Sequence, residues 1–231
     1  MQKHLFNLML LSFILTLPFP NINISAENNS KHIAQQILSG AKYPDGFLWG
    51  TAVAEWQNSG SENCGESNWS EFELKKHKGK PTIKEGQKSG KSCDSWNNMD
   101  RDINYMKEIG LNSYRFSVSW EAIEPKQGEY NQAALNHYDS LIDKLIAAKI
   151  EPMITLHHFV HPAWFQKLGA FEKEENIALF TKFAEMIFNR YSDKVKLWCI
   201  INEANVSGFQ CYINGAFPPG RKLRSFGASS F

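Results

Sequence analysis

At 231 residues, with 42% hydrophobic and 13% aromatic side chains, the chain is long enough to bury a sizeable core as one domain or two small ones. Its 25 Lys and Arg stand against 24 Asp and Glu, a formal net charge of +1 with no long run of one sign, so nothing points to nucleic acid as a partner. The four cysteines, at positions 64, 93, 199 and 211, lack C-x-x-C spacing and carry no zinc or thioredoxin signature.

Residues 1–26 read as a secretory signal: Lys3 and His4, an apolar run from Leu5 to Leu17, Pro18 and Pro20 as breakers, then Ile24-Ser25-Ala26. A run of about 13 residues is short of the roughly 20 that span a bilayer as a helix, so the expectation is export, to the periplasm or beyond, with no permanent membrane anchor. An exported chain can hold a disulfide. Cys64 and Cys93, both in polar sequence, form the expected pair, while Cys199 sits in an apolar stretch and is expected as a buried thiol.

After a polar connector over residues 27–42, short apolar runs alternate with stretches of helical period, the pattern of βα units around a parallel sheet. The first predicted strand is Phe47 to Ala54, followed by a large loop rich in Lys, Gly and Ser from Ser59 to Ser92 and a helix around Ser95 to Ile109. The second is Ser113 to Trp120; Asn131 then caps a helix whose Leu135, Tyr138, Ile142, Leu145 and Ile146 share one face. The third is Pro152 to His157, with a helix carrying Ile177, Phe180, Ala184, Ile187 and Tyr191 on one stripe. The fourth is Val195 to Asn202, and Gly208 to Gly220 reads as loop.

Each strand run ends in residues able to do chemistry: Gln57, then Arg115 and Trp120, then His157 and His158, then Asn202 and Glu203. Strand C-termini are where α/β barrels keep their active sites. Glu203 follows Trp198-Cys199-Ile200-Ile201, an apolar run that predicts a carboxyl group leaving a buried strand, where desolvation raises its pKa toward that of a general acid. Arg115 lies inside an apolar strand and must meet a carboxylate or carbonyls. His157, His158 and His161 invite a metal reading, yet period-two geometry sends His157 and His158 to opposite sides of a strand, and no metal site is expected. Trp120 and Trp198 are expected to pack. Asn28, Asn68 and Asn205 open Asn-x-Ser sequons.

Five ordered blocks resemble glycoside hydrolase family 1. Phe47-Leu48-Trp49-Gly50-Thr51-Ala52 through Gln57 and Gly60 is similar to its N-terminal signature, and Arg115-Phe116-Ser117-Val118-Ser119-Trp120 to its R-F-S-x-x-W. Thr155-Leu156-His157-His158-Phe159 with Pro162 resembles its T-L-x-H-W, and Trp198 to Ala204 its W-x-x-x-N-E-P; Gly215 to Gly220 resembles G-x-x-x-P-G. The resemblance implies a retaining β-glycosidase, without cofactor, acting on a β-linked glucoside or related sugar. Glu203 is then the general acid/base; Gln57, His158 and Asn202 hydrogen-bond the sugar, and Arg115 supports the nucleophilic carboxylate. That nucleophile belongs to an E-N-G motif, and no such tripeptide occurs in the sequence.

The expected fold is therefore α/β, the first four βα units of a (β/α)8 barrel over residues 43–231, with self-association through the open barrel edges. The fragment is expected to be inactive alone; a non-catalytic carbohydrate-binding relic is the alternative. Departures from the family pattern are Ser59 for Glu, Glu55 for a small residue, Ala204 for Pro and Phe159 for Trp, with Glu55 expected near the sugar. Glu55 and Glu121 are the substitute candidates for a second carboxylate.

Overall fold

A computed structural model describes residues 43–60 and 63–222. The leader and connector read from residues 1–42 lie outside the described residues. Residues 43–47 form a turn of their own, in which the Phe47 N–H donates to the Pro44 carbonyl at 3.1 Å and the Tyr43 and Phe47 rings meet at 4.7 Å.

From residue 48 onward, four parallel strands lie side by side in sequence order: β1 (Gly50–Ala52), β4 (Ser113–Ser117), β5 (Glu151–His157) and β6 (Leu197–Ile201). Between β1 and β4 come α1 (Glu55–Asn58), α2 (Asn68–Leu74), a two-stranded ribbon of β2 (Lys76–His77) and β3 (Lys80–Pro81), and α3 (Met99–Glu108). A short helix, α4 (Trp120–Ile123), and the long α5 (Gln132–Ala147) link β4 to β5. Then α6 (Ala163–Lys167) and α7 (Ile177–Tyr191) lead to β6, and α8 (Ala204–Gly208) runs into a π-helix at Phe209–Asn214.

Alternation along β4 explains the layering. Tyr114 and Phe116 turn toward α5, where Phe116 stacks on Tyr138, and Arg115 turns the other way. Asn131 caps α5 as the sequence predicts, accepting from the N–H groups of Ala133 and Ala134. Tyr138, Ile142 and Leu145 on its inner face are fully buried, each aliphatic contributing roughly 1.5–3 kcal/mol by leaving water. Tyr138 also fixes the end of β4, because its hydroxyl accepts the Ser119 N–H at 2.8 Å. On α7 the buried stripe runs through Phe180, Phe183, Ile187 and Tyr191; the predicted Ile177 is instead half exposed.

The first strand is shorter than its sequence suggests. Among the described residues it pairs with β4 alone, over three residues, and all three are exposed. A side chain at Gly50 would place its Cβ 2.9 Å from the Ser113 carbonyl, so the close approach of the two backbones requires glycine there. The predicted long loop from 59 to 92 also holds more order than its composition implies. Ser67 and Ser70 cap α2 reciprocally, a start signal that a Lys- and Gly-rich tract conceals. The stretch from Gly208 to Gly220, expected as loop, is helical up to Asn214; its turn signals mark only the end, at Gly215 with φ 72°.

Candidate active site

The C-terminal ends of the four strands carry the residues singled out from the sequence. Arg115, on the face of β4 opposite the helices, donates from Nη1 to Oδ1 of Asn202 at 3.1 Å. Asn202 is buried and follows directly on β6; its own N–H donates to the His157 carbonyl at the end of β5 at 2.9 Å. Asn202 and Arg115 thus tie the ends of β5 and β6 to the middle of β4. The strand-embedded arginine meets a carbonyl oxygen, that of the Asn202 side chain, one of the two partners expected for it.

His158 follows the last residue of β5. Burial, and then the charge of Arg115, push its pKa down to about 4, so the ring is neutral at pH 7 and offers one donor and one acceptor nitrogen. Its Nδ1 is buried without a hydrogen-bond partner. His157 goes elsewhere, as the strand period predicts. Its Nε2 lies 3.3 Å from Nδ1 of His161, its ring packs on Phe171 and Phe180, and Nε2 of His161 reaches Gln166 at 3.1 Å. Burial holds both of these imidazoles neutral. Among the described residues no cluster of histidine, cysteine or carboxylate groups is arranged to hold a metal ion.

The loop that carries His158 is pinned by residues that sequence reasoning missed. Phe159 has a left-handed backbone, φ 69°, and its carbonyl accepts both Asn68 Nδ2 at 3.0 Å and Trp69 Nε1 at 3.1 Å. Asn68 Oδ1 accepts the His161 N–H at 3.1 Å, and the Asn68 N–H donates to the His161 carbonyl at 3.0 Å. Asn68 is buried with its side-chain nitrogen engaged, so its sequon cannot carry a glycan in this fold. The only signal available was the helix-start pattern beginning at Ser67.

Gln57 lies on α1, just past β1, and is exposed; no hydrogen bond of its side chain joins it to Arg115, His158 or Asn202. Glu203 follows Asn202 in a left-handed conformation, φ 44° and ψ 57°, and its carbonyl receives the Ser207 N–H at 2.9 Å in the first turn of α8. The desolvated environment expected for Glu203 is absent: it is exposed, because β6 pairs with β5 alone among the described residues. Ala204 stands at the first position of α8, where a proline is well tolerated.

Two expectations about other groups are corrected. Glu55 does not approach the sugar-facing residues. Its N–H donates to Ser117 Oγ at 2.8 Å, its carboxyl accepts from Ser59, and it lies buried toward Tyr138 and Glu121. Ser59 and Glu55, both departures from the family pattern, are therefore partners of each other. Burial, with the charge of Glu121 adding to it, raises the Glu55 pKa to about 8; Glu121, almost fully buried with neither oxygen hydrogen-bonded, is raised by burial to about 7. Neither is placed as a second carboxylate at the strand ends. All four cysteines are free: the Cys64 thiol points to the Gly60 carbonyl at 3.6 Å while Cys93 is exposed, so the expected disulfide is not formed, and Cys199 is only half buried.

Trp120 packs as expected, buried among Trp164, Phe165, Phe180 and Phe183.

Comparison with known proteins places these features in a family context. The profile of Glycosyl hydrolase family 1 matches residues 39–229. The aryl-phospho-beta-D-glucosidase BglC of Bacillus subtilis is 40% identical over 187 residues, 79% of this chain and 38% of its own length. The cytosolic beta-glucosidase of Homo sapiens is 34% identical over 194 residues, 82% of this chain and 40% of its own. The structure of a beta-glucosidase from Thermotoga maritima in complex with castanospermine superposes with a TM-score of 0.74 at 32% identity, covering 79% of this chain and 41% of that one. The four βα units form part of the α/β barrel of these enzymes, and the chain spans about 40% of the length of such relatives.

Proposed function

We propose, because the chain belongs to glycosyl hydrolase family 1, that it supplies the acid/base and sugar-binding side of a retaining β-glucosidase site. Glu203 gives its proton to the glycosidic oxygen as the bond to the anomeric carbon breaks. A second carboxylate about 5–5.5 Å away attacks that carbon, and the ionised Glu203 then takes a proton from the water that releases the sugar. His158, neutral at pH 7, Asn202 and Gln57 hydrogen-bond the sugar hydroxyls; Arg115 holds Asn202 and faces the position of the nucleophile. The observation that carries this reading is the Arg115–Asn202 bond, which gathers β4, β5 and β6 directly beside Glu203.

The sequence has no E-N-G tripeptide, so the 231 residues alone should not turn over nitrophenyl β-glucoside. Castanospermine, the ligand of the Thermotoga structure, should bind saturably, and more weakly after His158→Ala. Turnover by the unaltered chain that disappears in Glu203→Gln would show that a second carboxylate lies within these residues. Saturable binding in the absence of turnover equally suits the carbohydrate-binding relic, which the exposure of Glu203 favours. Residues 1–26 are proposed as an export signal cleaved after Ala26, testable by N-terminal sequencing of the secreted chain.

A further inference from the structure

A second cleft lies beyond the ring of Phe159 from the strand ends. The ribbon β2–β3 and the segment from Gly215 to Lys222 face each other across a cleft of about 710 Å³. Lys75, Lys76, Lys80 and Lys222 line it, over a floor that includes Phe72 and Pro219. Seven lysines and one glutamate fall between residues 75 and 91, in a chain whose formal charge is only +1, so this segment concentrates positive charge that the rest of the molecule balances. None of the four lining lysines forms a salt bridge among the described residues. Three nearby carboxylates are committed elsewhere, Glu71 to Lys167 at 3.2 Å, Glu172 to Arg221 at 2.7 Å, and Glu73 to the Ser89 N–H at 3.1 Å, which leaves Glu85 as the glutamate within the lysine-rich segment itself.

The two walls are locked together. Gly220, with φ 79°, leaves room for the Phe72 ring, which would stand 2.8 Å from a Cβ there. From Phe72 a continuous series of rings leads to the strand ends: Trp69 at 5.9 Å, Phe217 at 5.1 Å beyond it, Phe159 at 5.3 Å from Phe217, and His158 at 5.1 Å from Phe159. Flat apolar rings suit the faces of sugars and aryl groups. The series thus runs from His158 at one end to the cleft lysines at the other, where Lys75 Nζ lies 6.0 Å from the Phe72 ring centroid, and a ligand must be long enough to follow it.

We propose that the cleft is a subsite for an anionic group, a carboxylate, sulfate or phosphate, on the aglycone of a β-glucoside whose sugar lies at His158. This rests on the sugar-binding reading above. The full chain and a variant with Lys75, Lys76, Lys80 and Lys222 each changed to Gln are titrated with 4′-carboxybiphenyl-4-yl β-D-glucoside, whose two rings carry the carboxylate well beyond the sugar, and with its neutral 4′-hydroxymethyl counterpart. Backbone and lysine NMR shifts are followed, and a thermal melt confirms that the variant, altered only at exposed positions, is folded.

The carboxylated glucoside should bind the parent about tenfold more tightly than the neutral one, the range of a few screened charge contacts, and the preference should vanish in the variant and in about 0.5 M salt. Equal affinity in the parent, or a preference that survives in the variant, overturns the proposal. The sugar-binding reading fails separately if the neutral glucoside leaves His158 and Asn202 unmoved. In that case 4-hydroxybenzoate and inorganic phosphate decide the matter and distinguish carboxylate from phosphate: shifts at the four lysines with either support the anion site, and shifts with neither overturn it.

Discussion

Nη1 of Arg115 donates to Oδ1 of Asn202 across 3.1 Å, joining the middle of β4 to the residue that follows β6. Because the guanidinium also acts electrostatically on His158, one side chain governs both the position of a proposed sugar ligand and the protonation of another.

Replacing Arg115 with Met should therefore raise the His158 pKa. In the parent it lies near 4, against an ordinary value of 6.5, with burial the larger cause and the positive charge the second. Removing the charge moves it upward while burial keeps it below 6.5. An NMR titration of the His158 ring checks this; an unchanged pKa means that the two groups do not communicate.

The buried carboxyls make stability pH-dependent. Glu55 and Glu121 have folded-state pKa values near 8 and 7, above their ordinary 4.5, so the folded protein binds more protons than the unfolded chain between these limits. Their contribution is fully present below pH 4.5 and is lost as pH rises through 7 to 8. Glu121→Gln should remove its share of this dependence, on the order of 3 kcal/mol between the two ends of the range. Urea unfolding at pH 5 and pH 9 measures it, and the variant should gain relative to the parent only at the higher pH.

Asn68 is expected to matter for stability although it touches no proposed ligand. Asn68→Ala removes one donor and one acceptor that hold the turn at Phe159 and His161, which should cost about 2 kcal/mol in denaturant unfolding. Asn68→Asp keeps the acceptor for the His161 N–H but loses the donor to the Phe159 carbonyl, so it should be destabilising as well. A neutral effect of both variants would show that Trp69 alone secures the turn.

The outer edge of β6 predicts association. Ile200 and Ile201 are 54% and 38% exposed on a strand with one neighbour among the described residues. Sedimentation of the 231-residue chain should show concentration-dependent mass, and Ile200→Lys should weaken the association by about tenfold. Monomeric behaviour at every concentration contradicts the reading.

Much of the fold was legible because local signals and tertiary demands agree. The Asn131 cap, the periodic face through Tyr138, Ile142 and Leu145, and the alternation Tyr114-Arg115-Phe116 each specify an element and its buried side. Legibility failed where one residue serves a distant partner. Nothing local marks Asn68 as the anchor of a turn more than 90 residues away. Glu203 shows a second kind of failure: an apolar strand predicts burial, but burial also requires neighbouring elements on both sides, and among the described residues β6 has one.

The most direct test of the role given to Glu203 joins these 231 residues to the portion of the Thermotoga beta-glucosidase beyond its matched segment, which supplies the second carboxylate. Hydrolysis of nitrophenyl β-glucoside is then measured for the hybrid and for its Glu203→Gln variant. Turnover with retained anomeric configuration, falling by about 10²- to 10⁴-fold in the variant, is the predicted result. A folded, active hybrid that loses nothing when Glu203 becomes Gln contradicts the assignment.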